Sequence, residues 1–231
     1  MHPEICKIGP FTIYSYGLML VAAFFTAMFL AGRQAKKENV DPGIILNIAF
    51  PGFILGIAGA RIFYVIENFA YYLKNPLEII MLQHGGLSWF GGLIFGVAAA
   101  AVYLKIKKIP FYPTLDLFAP FIALAQAIGR VGCLLNGCCF GRIDAPVPVQ
   151  AVSSLLLIVI FIILRFIQDK PHKEGVVFFS YLILYSLKRF FIEFYREDNP
   201  VVFSGLTLFQ LLSILLFVFA TIKIFSIKKS R

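Results

Sequence analysis

Charge is what this chain has least of. Asp, Glu, Lys and Arg make up 14% of its 231 residues, against 60% hydrophobic; a soluble domain carries about 25% charged residues. The shortage excludes an ordinary soluble domain and leaves an integral membrane protein. A basic n-region is missing from 1–10, and no small-residue cleavage site follows the first apolar run, so that run reads as a retained span. Internal repeats, low-complexity tracts and long linkers are lacking too, so a single transmembrane domain over 1–231 is expected. Paired, symmetry-related broken helices of the kind transporters use are not found. The net charge of +9 is split among short ends rather than gathered into one patch, which excludes nucleic acid as a partner.

What is there is a series of apolar runs of roughly 20 residues, long enough to cross a bilayer. They fall near 11–32, 43–66, 87–104, 114–134, 149–167, 175–195 and 204–225. The expected fold class is therefore all-α: a polytopic membrane helix bundle of about seven transmembrane helices. Arg33, Lys36 and Lys37 follow the first span, Lys105, Lys107 and Lys108 the third, and Arg165, Lys170 and Lys173 the fifth. Lys223, Lys228, Lys229 and Arg231 close the chain. These basic ends predict a cytoplasmic C-terminus and an outward N-terminus, and they favour anionic membrane lipid. The bacterial cytoplasmic (inner) membrane is the expected location.

Arg61, Arg130, Arg142, Arg189 and Arg196 are the arginines this rule does not need. Ionisable groups at membrane depth are costly and mark functional sites. Arg130 lies in Gly129–Gly141, GRVGCLLNGCCFG, where four glycines and Asn136 frame it and point to an anionic headgroup. Arg189, Glu193 and Arg196 stand at i, i+4 and i+7 and share one helix face. Glu193 can hold an arginine fork in place for a phosphate. Arg61, deep in the second span, needs an anionic ligand or a glutamate partner. Gly52, Gly56, Ala60, Gly92 and Gly96 have the spacing of tight helix crossings. The outward segment 67–86 reads as a short interfacial helix.

Histidine is scarce, with three in all, and His84 is the one near this outward cluster. Cys133, Cys138 and Cys139 are spaced C-x4-C-C. Zinc sites join C-x2-4-C pairs to a second pair, and none exists here, so no metal is expected. Three readings of the trio stay open: small packing residues, a disulfide from Cys133 to Cys138 or Cys139, or thiol chemistry.

Together these residues resemble the prolipoprotein diacylglyceryl transferase family. The resemblance rests on Tyr16-Gly17-Leu18-Met19, Gly59-Ala60-Arg61, Gly85-Gly86-Leu87-Ser88 with Gly91-Gly92-Leu93, and the Gly129–Gly141 signature. Arg189-Phe190-x2-Glu193-Phe194-x-Arg196 and Gly205-Leu206-Thr207 with Gln210 complete it. It implies transfer of a diacylglyceryl group from phosphatidylglycerol to the thiol of a prolipoprotein lipobox cysteine, with release of glycerol phosphate and no cofactor. Arg130, Arg189, Glu193 and His84 are then the expected catalytic residues. Tyr16, Arg61, Asn136, Gly141 and Arg196 are expected to bind substrate. The family's usual histidine before the second glycine pair is Phe90 here, its signature Asn and Glu are Cys133 and Cys138, and the outward loop before the fifth span is short. Two alternatives remain: the same lipid with another thiol acceptor, and a non-enzymatic lipid-binding or transport protein.

Overall fold

The computed structural model describes residues 4–8, 11–81, 85–139, 141, 147–196, 199–203 and 205–229. They form two compact units, one of Met1–Ala31 with Tyr112–Arg231 and one of Gly32–Phe111. Among the described residues, six helices are long and apolar enough to cross a membrane. They are α1 (Ser15–Lys37), α2 (Pro42–Glu67), α4 (Trp89–Lys107), α5 (Phe111–Asn136), α6 (Val149–Gln168) and α8 (Leu208–Lys229). Their outer faces carry phenylalanines such as Phe25, Phe29, Phe166 and Phe225, all more than half exposed. In a membrane protein those faces meet lipid rather than water.

Two expectations change. The sixth expected span, placed at 175–195, is the 18-residue helix α7 (Val176–Glu193), and it falls outside the six helices above. Its last six residues hold Lys188, Arg189 and Glu193, and the first and last of these are buried within the protein. The first span was placed from residue 11, but the helix begins at Ser15. The β-branched and aromatic Phe11-Thr12-Ile13-Tyr14 instead forms β2, paired antiparallel with β1 (Glu4–Ile8).

In the first unit, Ala119, Ala123 and Ala127 make a small-residue stripe along α5. The stripe lets Leu157, Ile160 and Leu164 of α6 and Val177 and Tyr181 of α7 pack against it. Polar groups within this core are paired: Ser154 donates to the Ala127 carbonyl at 2.9 Å, and the Tyr181 hydroxyl meets Gln126 Oε1 at 3.1 Å. The first turn of α7 is capped from another helix. Asp116 of α5 accepts the Gly175 N–H at 2.6 Å and the Phe178 N–H at 2.8 Å. It satisfies donors that a helix start leaves open, and it does so at Gly175, where φ is +90° and no side chain is available. Asp116→Ala is expected to cost about 1–2 kcal/mol, read as a lower thermal midpoint of the purified protein.

In the second unit, α2 and α4 cross at their glycines, as the spacing predicted. A Cβ on Gly91 would strike the Gly59 carbonyl, and one on Gly96 would stand 3.3 Å from the Gly52 oxygen. The segment after α2 contains α3 (Phe69–Lys74) and a 3-10 turn at Pro76–Ile80. Arg61 organises it. Its guanidinium donates to the carbonyls of Ile79 (2.9 Å), Gly85 (2.5 Å), Gly86 (2.9 Å), Met81 (3.3 Å) and Glu78, and lies over the Tyr72 ring at 5.3 Å. The partner this buried arginine needs is thus a ring of backbone oxygens.

Candidate active site

The end of α7 and the start of α8 build a buried polar cluster that includes Glu193, Thr207 and Gln210. Arg189 and Glu193 lie one turn apart, and Arg189 Nη2 stands 3.0 Å from Glu193 Oε2. The contact is an ion pair without hydrogen-bond alignment, so this buried oxygen keeps acceptor capacity. Glu193 Oε1 accepts from Asn199 Nδ2 at 2.7 Å and from the Thr207 hydroxyl at 2.9 Å. The Arg189 guanidinium also lies 4.4 Å over the Phe209 ring, which fixes its plane.

Thr207 ends a short hairpin of β3 (Val201–Phe203) and β4 (Leu206–Thr207) that leads into α8. Its N–H donates to Gln210 Oε1 at 2.9 Å, and its hydroxyl oxygen accepts the Gln210 N–H at 3.3 Å. This is a reciprocal capping box. The T-x-x-Q spacing announces the cap in the sequence, but its second role, orienting Glu193, depends on tertiary contact. Thr207→Val should keep side-chain volume, remove both hydroxyl bonds and lower activity roughly ten- to a hundredfold. Thr207→Ser should retain most of it, the two being compared by initial rates.

Lys188 is buried, its Nζ donating to Ser153 Oγ of α6 at 3.1 Å and lying 4.8 Å over the Tyr185 ring. The charges of Arg130, Arg189 and Arg196 all act on it. Positive charge therefore gathers around the ends of α5 and α7.

The Gly129–Gly141 segment closes α5 with a Schellman turn. Gly137 has φ +70°, the Cys138 N–H donates to the Cys133 carbonyl at 3.1 Å, and the Gly137 N–H donates to the Leu134 carbonyl at 3.3 Å. Such a turn brings the side chains at the C3 and C″ positions together, and here these are Cys133 and Cys138. Cys139, with φ +59°, follows them back. All three are free thiols, with their sulfurs within 4.8 Å of one another. A three-sulfur donor set of this kind suits a thiophilic metal ion. Hydrogen bonding from Cys133 is the main influence holding the Cys139 thiol well below its usual range, with the charges of Arg130 and Arg196 adding to it. Burial pushes the Cys138 thiol up, opposed by a hydrogen bond from Asn136. Gln150, fully buried at the start of α6, donates to the Cys138 carbonyl at 2.8 Å, and its Oε1 has no partner among the described residues.

Tyr16 lies close enough to the three cysteines, and the half-buried Arg130 to Cys133 and Cys139, to interact electrostatically. Gly132 lets α1 approach α5, since a Cβ there would stand 2.9 Å from the Met19 Cβ. Gly141 fits where a Cβ would collide with Val149 and with the Tyr195 carbonyl. The first unit thus contains Tyr16, Arg130, Asn136, Gly141, Arg189, Glu193, Arg196 and the cysteine trio. Arg61 belongs to the other unit, bound to carbonyls as above. That unit also holds an open cleft of about 470 Å³ lined by Tyr64, Tyr71, Tyr72 and Glu78. His84 and Arg142 lie outside the described residues.

Residues 3–226 match the family model for prolipoprotein diacylglyceryl transferase. The chain belongs to that family. Among its relatives, a phosphatidylglycerol–prolipoprotein diacylglyceryl transferase of Streptococcus agalactiae is 34% identical over 97% of this chain and 95% of its own length. A Streptococcus mutans enzyme of the same name is 35% identical over 97% of the chain and 94% of its length, and one from Clostridium kluyveri 35% over 87% and 88%. As a member of the diacylglyceryl transferase family, the chain is a multi-pass membrane protein. Against the family pattern, Phe90 stacks edge-on with Trp89 at 5.3 Å where a histidine is usual, and Cys133 and Cys138 lie in the turn described above.

Proposed function

We propose that the protein transfers the diacylglyceryl group of phosphatidylglycerol to the thiol of a prolipoprotein lipobox cysteine, releasing glycerol phosphate. The observation that carries this reading is the buried Arg189–Glu193 pair, braced by Thr207 and Asn199, in a chain related to transferases of that name. Glu193 holds the Arg189 fork, and Arg189 and Arg130 take the phosphodiester oxygens. The acceptor thiolate attacks the glycerol carbon that bears the phosphate ester. The C–O bond breaks with its electrons going to the phosphate oxygen, and the arginines offset the charge that builds there. Tyr16, Asn136 and Gln150 Oε1, which has no partner among the described residues, face the glycerol hydroxyls, Arg196 adds positive charge, and Gly141 keeps the floor of the site narrow. His84 is the proposed base.

The proposed setting is the cytoplasmic membrane, with the N-terminus outside. Lys36 and Lys37 end α1, Lys105 and Lys107 end α4, Arg165 lies in the last turn of α6, and Lys228 and Lys229 end α8. With those ends inside, the start of α1, the end of α5, the end of α7 and the start of α8 all face outward. That is where a secreted prolipoprotein presents its cysteine.

The test is to incubate the purified protein with phosphatidylglycerol and a lipobox peptide and weigh the peptide. A gain of one diacylglyceryl group on the cysteine supports the reading, and an unmodified peptide with glycerol phosphate released points to another acceptor. Lipid binding with no turnover overturns the enzyme.

A further inference from the structure

The position of the family's usual histidine holds Phe90, yet the proposed reaction still needs a thiolate. A group that can make one lies at the end of α5. Cys133, Cys138 and Cys139 present three sulfurs within 4.8 Å of one another. Around tetrahedral zinc, with Zn–S bonds of about 2.3 Å, neighbouring sulfurs stand about 3.8 Å apart. Small side-chain rotations close the difference.

The turn that gathers them is well held. The Schellman bonds fix Cys133 against Cys138, Gln150 holds the Cys138 carbonyl, and Cys139 is exposed at the open side. Among the described residues no His, Asp or Glu joins the group. Three protein ligands with one position left over is the pattern of a catalytic rather than a structural zinc site.

We propose that Cys133, Cys138 and Cys139 hold a zinc ion whose fourth position binds the acceptor cysteine as its thiolate. This rests on the transferase reading and deepens it. A thiol bound to zinc gives up its proton, here to water, and the ion takes this step over from His84. The bound sulfur forms a bond to the glycerol carbon of the lipid while the carbon–oxygen bond to phosphate breaks, and glycerol phosphate leaves with the electron pair. The product is a thioether, a weak ligand that departs and frees the position for the next thiol. Zinc neither gains nor loses electrons. Zinc bound by four thiolates is a net dianion, and Arg130 and Arg196, whose charges both act on Cys139, offset it.

The full-length protein, purified under reducing conditions and stripped of metal, is titrated with Zn(II) and in parallel with Co(II). The expected result is one metal ion per chain and a thiolate-to-cobalt absorption band that is lost in Cys138→Ser and in Cys139→Ser. A lipobox peptide should intensify the band, and the same peptide with serine in place of its cysteine should leave it unchanged. Stripping the wild-type chain should stop transfer and zinc should restore it, so misfolding of a variant does not decide the result.

Transfer at full rate by the stripped protein overturns the zinc site and leaves the transferase reading standing. A cobalt band that ignores the thiol peptide overturns the thiol-activating role. A band that responds to the thiol peptide, with no adduct formed when lipid is added, sustains the metal site and overturns the transferase reading.

Discussion

Replacing Arg189 by lysine is expected to lower kcat/KM for transfer to a lipobox peptide roughly 10²- to 10³-fold, with the helix content unchanged. Lysine keeps the charge but loses the planar fork. Arg189 points one arm at Glu193 Oε2 at 3.0 Å while its plane lies against Phe209 at 4.4 Å. An ammonium can satisfy Glu193, but it cannot also present parallel N–H groups to a phosphate. The check is a rate measurement on Arg189→Lys beside circular dichroism of the same sample. A rate within a few-fold of wild type would show that the residue supplies only charge, and the phosphate contact would then fall to Arg130.

The second large effect is on stability. Arg61→Lys should destabilise the protein by about 2 to 4 kcal/mol, because an ammonium has three donors where the guanidinium serves five carbonyls. In the segment these bonds hold, Gly85 and Gly86 have φ of +77° and +79°, and the Pro76–Ile80 turn buries no residue. Thermal unfolding and proteolysis of this segment are the readouts. A lipid contact at Arg61 would instead raise KM for phosphatidylglycerol while leaving the melting curve in place, so the two roles separate cleanly.

The spans were largely legible in the sequence because lipid demands long apolar runs whatever the packing. The exceptions have local causes. Residues 11–14 are as apolar as a span but pair as a strand with Glu4–Ile8. Helix α7 was found by its position, yet its composition is too polar because Lys188 and Glu193 face protein rather than lipid. The arginine–glutamate face was readable from the i, i+4 spacing alone. Its support was not, since Thr207 reaches Glu193 across a hairpin that no helical period describes.

Backbone conformation hid the rest. Nothing in C-x4-C-C says that Gly137 takes positive φ and folds Cys138 onto Cys133. The spacing alone therefore left packing, disulfide and thiol readings of the trio open. Arg61 was rightly read as needing a partner, but spacing cannot reveal a partner made of main-chain oxygens 17 to 25 residues away. In the same way, Gln150 at the start of α6 stood out only through its bond to the Cys138 carbonyl.

The most direct measurement of the central claim counts both products in one sample. Purified protein is given phosphatidylglycerol and a lipobox peptide, and the thioether adduct and the free glycerol phosphate are quantified together. The account predicts that they rise in a ratio of about one to one, as a single displacement requires, and that both fall together in Arg189→Lys. Glycerol phosphate formed without adduct, or neither product from a folded sample, would contradict it.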